Sequence, residues 1–136
     1  MKPRESLLRV RQFEIEEKRQ QAADLESMIN DFRRMAADLD LQIEAEHQKS
    51  GIRDVNHFAY PPFAKAARQR RDNLTTSVED LMGKLNATKS DLASLEEELR
   101  RSEAAGERSE ERHRFSRRPS PRSRRSIVGP GPQRSA

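Results

Sequence analysis

Few residues in this chain have the types and spacing that chemistry requires. Glu44 and His47 stand three apart, the Glu-x-x-His spacing from which carboxylate-bridged di-metal sites are built when two helices of a bundle each supply one copy. Here the spacing occurs once, and His57 is the only other imidazole nearby. A solvated helix end is the expected reading, and no metal is assigned. Cysteine is absent, which removes disulfides, thiolate zinc sites and catalytic thiols by inventory. No Ser/His/Asp set, glycine-rich phosphate loop or convergent acidic pair can be assembled. Asn73-Leu74-Thr75 and Asn86-Ala87-Thr88 match the glycosylation sequon, but they fall within a predicted helix of a chain that shows no signal sequence. The expectation is a protein that is not an enzyme and takes no cofactor.

Composition points to the elements that carry these residues. The chain has 136 residues, 37% charged, 32% hydrophobic and 4% aromatic, too polar for an ordinary globular core. Long polar helices or disorder are the outlets for such a composition. Its longest apolar runs, Met35-Ala36-Ala37 and Phe58-Ala59-Tyr60, compare with about 20 residues for a membrane span and about 7 for a signal-peptide core. No membrane insertion and a cytoplasmic location are expected. Residues 1–100 carry 17 basic and 19 acidic side chains, net −2, whereas residues 101–136 carry 10 and 4, net +6. Two kinds of sequence meet near Arg101.

Numbered in sevens from Leu8, the a positions are Leu8, Ile15, Ala22, Ile29, Ala36 and Ile43, and the d positions are Arg11, Lys18, Leu25, Phe32, Leu39 and Glu46. Nine of these twelve are apolar, the mark of a helix that buries a narrow seam against another helix. The expected first helix runs from about 4 to 48. Gly51 stops it, because glycine tolerates the left-handed conformation that follows many helix ends. Residues 49–62 read as a connector in which Asp54 can cap a turn, and Pro61 or Pro62 opens the next helix. Heptads resume with Ala64, Arg71, Val78, Leu85, Leu92 and Leu99 at a, and Ala67, Leu74, Leu81, Thr88 and Leu95 at d, over a helix from about 63 to 105 or slightly beyond. Two helices of similar length on a short connector bury their seams by folding back. The expected fold is all-α, an antiparallel two-helix coiled-coil hairpin over 1–113 with a disordered C-terminal tail over 114–136.

The seam is uneven. Arg11 and Lys18 occupy d positions near the open end, opposite the region of Leu92 to Ser102, so pairing there is expected to be weakest: that end frays or completes its packing on another protein. Glu5/Arg9 and Glu14/Lys18 have the favourable acid-first spacing of four. Gly83 costs about 1 kcal/mol relative to alanine within a helix. Three of the six aromatics, Phe58, Tyr60 and Phe63, fall at the connector; they either plug the closed end or form an exposed docking patch. Residues 114–136 hold seven Arg, five Ser, four Pro and two Gly, without Lys or acid. Such a tail is open to three readings: a frame-shifted or degenerate terminus of a GC-rich message, a solvated tail without a dedicated partner, or a basic arm for nucleic acid. The third is the least favoured because Phe115 is the tail's one stacking group.

The opening Lys2-Pro-Arg-Glu-Ser-Leu-Leu-Arg9, the helix from Glu17-Lys18-Arg19 through Arg34-Met35-Ala36-Ala37-Asp38-Leu39-Asp40, and above all Gly51-Ile52-Arg53-Asp54, His57-Phe58-Ala59-Tyr60-Pro61, Ala64-Lys65-Ala66-Ala67 and Gln69-Arg70-Arg71-Asp72-Asn73-Leu74 resemble the FliJ family of flagellar export proteins, in an alphaproteobacterial-type branch. The resemblance covers residues 2 to about 100, and the connector is its specific part. It implies a small cytoplasmic component of the flagellar type III export apparatus, peripheral to the export gate at the inner membrane. In that family the open end of a stalk-like hairpin enters the ring of the flagellum-specific ATPase FliI, other surfaces meet the gate FlhA, and the protein also serves as a general export chaperone. By position, Arg4, Arg9, Arg11, Arg100 and Arg101 are the candidates for the ATPase-facing end, and Phe58, Tyr60 and Phe63 for a connector docking patch. Family members continue the second helix as a charge-dense coil where this chain turns to Arg, Ser and Pro, which bears on ATPase stimulation more than on fold. Two alternatives of other classes are a structural coiled-coil scaffold, with self-association through exposed seams, and a nucleic-acid-binding protein acting through residues 114–136.

Overall fold

The computed structural model of the chain describes residues 2–117. It consists of two helices, α1 (Pro3–Ser50, 48 residues) and α2 (Pro62–Arg117, 56 residues), with no strand among the described residues. The fold is the all-α two-helix hairpin that the heptads predict. Residues Met1–Leu99 form one compact unit, and a second begins at Arg100.

Local chemistry sets the helix ends. Pro3 stands at the start of α1, where its missing amide proton removes no hydrogen bond. Gly51 adopts φ 73°, and its amide donates to the His47 carbonyl at 2.8 Å; the left-handed conformation is available to glycine without a Cβ penalty. The connector then supplies its own acceptors. The Asp54 carboxylate accepts from the Asn56 amide at 3.0 Å and the Asp54 carbonyl accepts from the His57 amide at 3.1 Å. The His57 carbonyl and Nδ1 accept from the amides of Tyr60 and Ala59, each at 3.0 Å. A segment whose donors are met locally in this way makes a defined turn.

Helix α2 runs further than the periodicity indicates. It passes Gly83 and Gly106 unbroken and is helical to Arg117, the last described residue, so Arg114–Arg117, expected to open the disordered tail, are helical. Residues 101–117 are dense in Glu, Ala and Arg, good helix formers that hold a helix without a seam, and Glu110 stands four residues ahead of Arg114 in the favourable order. The remainder of the tail, 118–136, lies outside the described residues.

The core is the seam itself. Ile15, Ala22, Ile29 and Ile43 of α1 are buried, as are Ala64, Ala67, Leu81, Leu85 and Thr88 of α2. Its centre is the cluster of Ala22, Ile29, Leu81 and Leu85, with Leu25, Phe32, Val78 and Met82 packed against it. Thr88, the polar residue of this set, donates its hydroxyl to the Lys84 carbonyl at 2.9 Å, which removes the cost of an unpaired buried hydroxyl.

Contacts between the helices fix the register. Arg19 reaches Glu96 at 2.9 Å, Glu26 meets Lys89 at 3.4 Å, and Arg33 lies against the Met82 sulfur at 3.9 Å. Each step of seven up α1 is a step of seven down α2, as an antiparallel heptad pairing requires.

Candidate functional site

At the open end the seam bases are held within the chain. Arg11 is ion-paired with Glu98, and Lys18 lies 3.5 Å from Asp91. Lys18 therefore crosses to α2 in place of the pairing with Glu14 suggested by their spacing. Arg71, the seam base of α2, does the same, reaching Asp40 at 2.9 Å while it also binds Asp72; hydrogen bonds from the guanidinium to these two carboxylates raise the Arg71 pKa above its ordinary value. A long base at a seam position can lay its alkyl stem on the core and carry its charge to a flanking acid. The seam bases Arg11, Lys18 and Arg71 thus find acids inside the hairpin.

Arg11 is consequently a seam residue, committed to Glu98, and a poor contact for a partner. Its Nε is buried without a hydrogen bond, which costs about 1–3 kcal/mol, whereas the ion pair, with Glu98 half exposed, is worth about 0–1 kcal/mol. Arg11→Leu is therefore expected to stabilise the hairpin by about 1 kcal/mol, read as a raised urea midpoint with an unchanged slope; a lowered midpoint would show that the pair outweighs the desolvation cost.

Of the other arginines assigned to this end, Arg4 and Arg9 are exposed on the first turns of α1, while Arg100 and Arg101 are exposed in the second unit. Exposed Leu7, Val10 and Phe13 accompany Arg4 and Arg9. These three apolar residues lie off the a and d positions, at g, c and f, so a search for the seam passes over them. Their spacing of three was the available signal.

The connector aromatics do not act together. Tyr60 is buried and leaves the proposed docking patch: its hydroxyl lies 2.7 Å from His47 Nε2, with the two rings edge to face at 5.5 Å. His47 is likewise buried, so the solvated helix end expected for it is replaced by a polar plug of the closed end. Proline at 61 forces Tyr60 into an extended conformation, and the 57–60 turn delivers its ring to the last turn of α1. Phe58 is 97% exposed, stacked on His57 with centroids 4.7 Å apart, and Phe63 is also exposed. The surface that remains is Phe58 with Phe63.

Glu44 serves the connector. Both carboxylate oxygens accept from the Arg53 guanidinium, at 2.7 and 2.9 Å, while the His47 ring is 3.9 Å away. Hydrogen bonds from Arg53 hold the Glu44 pKa below the usual carboxylate range, and Glu44 raises that of Arg53 in turn. Because the folded value is depressed, the contribution of the pair is present above the ordinary carboxylate range and is lost as pH falls through the lowered Glu44 value. Both side chains are about half exposed or more, so the effect is small. Glu44→Gln is expected to flatten the acid limb of stability against pH without moving the neutral plateau far, checked by urea titration at a series of pH values.

Among the described residues no group of three or more His, Asp or Glu is placed to hold a metal, and no helix is long and apolar enough to cross a membrane. Comparison with protein-family models, with curated proteins and with solved structures finds no match to this chain.

Proposed function

We propose that this chain is a stalk-like coiled coil of a flagellar type III export apparatus, a non-enzymatic cytoplasmic component and general chaperone that links the export ATPase ring FliI to the export gate FlhA. The observation that carries the reading is the connector. The segments that resemble the FliJ family most specifically, Gly51-Ile52-Arg53-Asp54 and His57-Phe58-Ala59-Tyr60-Pro61, hold the residues that build the turn: Gly51 by its positive φ, Arg53 on Glu44, Asp54 and His57 as acceptors, Tyr60 on His47. Further support comes from the open end, where Arg4 and Arg9 stand exposed beside Leu7, Val10 and Phe13, a mixture of cationic and apolar groups suited to a protein partner. The ATPase contact runs through these residues, and Phe58 and Phe63 at the closed end make a second contact.

The test is a pull-down and ATPase assay with the flagellar ATPase of the same genome. Full-length chain should bind and stimulate it, and Arg9→Glu with Val10→Asp, both at exposed positions, should abolish binding while leaving helicity intact. Unchanged binding by this variant rejects the assigned end, and no binding by the unmodified chain rejects the stalk reading. A chain ending at Arg101 that binds without stimulating would assign stimulation to residues beyond it.

A further inference from the structure

The two flanks of the hairpin in the Met1–Leu99 unit are unlike. On one, Arg19, Glu26 and Asp40 of α1 are ion-paired with Glu96, Lys89 and Arg71 of α2. On the opposite flank the cross-helix ion pairs, Arg11 with Glu98 and Lys18 with Asp91, lie toward the open end, and among the described residues none follows them further along α1. There Met28 and Met35, seven residues apart at g positions, are 44% and 51% exposed.

Two open grooves, each lined mainly by apolar surface, run beside these methionines. One is lined by Gln21, Asp24, Leu25, Lys84, Ala87 and Thr88, the other by Met35, Asp38, Leu39, Gln42, Arg70, Asn73 and Leu74. Apart from Gln42, the second set is the first moved fourteen residues up α1 and fourteen down α2. One structure is therefore repeated after two heptads, about 21 Å along the hairpin. A two-stranded coil needs only a and d apolar; the addition of g, as at Met28 and Met35, is the wider stripe carried by helices that face the core of a larger bundle.

The rims of this flank are charged with opposite sign. Along the grooves the α1 rim carries Asp24, Asp31 and Asp38, and the α2 rim from residue 70 to 88 carries Arg70 and Lys84 with one acid, Asp80; the rim acids beyond it, Asp91 and Glu98, are held by Lys18 and Arg11. Asp31 is occupied by Arg34 at 2.9 Å and Asp24 by the Gln20 amide at 2.9 Å. Among the described residues Asp38, Arg70 and Lys84 have no ion-pair partner.

We infer that this flank binds a second copy of the same chain. A two-fold axis along the hairpin sets the acidic α1 rim of each copy on the basic α2 rim of the other, makes every neighbouring helix antiparallel, and packs Met28 and Met35 of both copies into a four-helix bundle. A perpendicular two-fold that brought α1 onto α1 would oppose aspartate to aspartate, so charge selects the arrangement. The inference is independent of the export reading, since it uses no residue of the open end or of the connector.

Sedimentation of the full chain tests it, and a mass of two chains is expected. Met28→Glu with Met35→Glu should sediment as one chain with unchanged helical circular dichroism, whereas Leu41→Glu, on an exposed position away from the grooves, should remain a dimer. Asp24→Lys with Asp38→Lys, and separately Arg70→Glu with Lys84→Glu, should each be monomeric alone and dimeric when mixed. A single chain at all concentrations, a dimer that survives the methionine changes, or loss of the dimer with Leu41→Glu overturns the proposal. Failure of the mixed charge variants to associate overturns the two-fold arrangement. Binding of this flank only to another protein's helix appears as a monomer in isolation and counts against the second copy.

Discussion

Ile29→Ala is expected to destabilise the hairpin by about 3 kcal/mol, within the range of about 2–5 kcal/mol for truncating a buried aliphatic side chain to alanine. Ile29 is 2% exposed and belongs to the cluster that joins Ala22 to Leu81 and Leu85. Its removal leaves a void that the neighbours fill only in part, because α1 and α2 are held in register by contacts on either side, Arg19 to Glu96 and Arg33 to Met82. A small protein has about 5–15 kcal/mol of stability in all, so this one change should lower the urea midpoint by a large fraction. Leu41→Ala, at a position 71% exposed, should change stability by less than about 0.5 kcal/mol. Equal effects at the two positions would mean that the seam is not what holds the helices together.

Tyr60→Phe is expected to cost about 2 kcal/mol, because it removes the hydroxyl 2.7 Å from the buried His47 Nε2 and leaves that nitrogen without its partner. The decisive comparison is the double variant. His47→Leu with Tyr60→Phe replaces both polar groups by apolar ones and should recover most of the loss, since the penalty lies in an orphaned buried group more than in the bond itself. A double variant as unstable as the sum of the single changes would show that ring packing, and not hydrogen bonding, closes the connector end.

Much of the molecule is legible in the heptads. Leu8 to Ile43 and Ala64 to Leu99 recur every seven residues, and that period alone selects helices with one narrow apolar seam. Gly51 and Pro62 mark the connector for equally local reasons, one being free to take positive φ and the other losing nothing in a first helical turn. The far end of α2 escapes such reasoning, because residues 101–117 are helical by composition without any seam to announce them.

The candidate sites were legible by type but not by role. Arg11 and Arg9 look alike in sequence, yet one turns onto Glu98 and the other stays exposed, a difference made by the antiparallel register that brings α2 within reach of one side chain. Phe58 and Tyr60 stand two apart, and the turn between them buries one against His47 and exposes the other.

What the sequence by itself determined is therefore the set of local preferences: period, helix stops, charge and the inventory that contains no thiol. The tertiary structure alone decided which acids answer the seam bases, which aromatic is spent inside, and that one flank carries ion pairs from Arg19 to Asp40 while the other leaves Met28 and Met35 exposed beside Asp38, Arg70 and Lys84. The reason is physical. Helix periodicity is a property of residues close along the chain, whereas satisfaction of a charge or burial of a ring depends on what the facing helix places a few ångströms away, and that is fixed only when the two helices pack in one register.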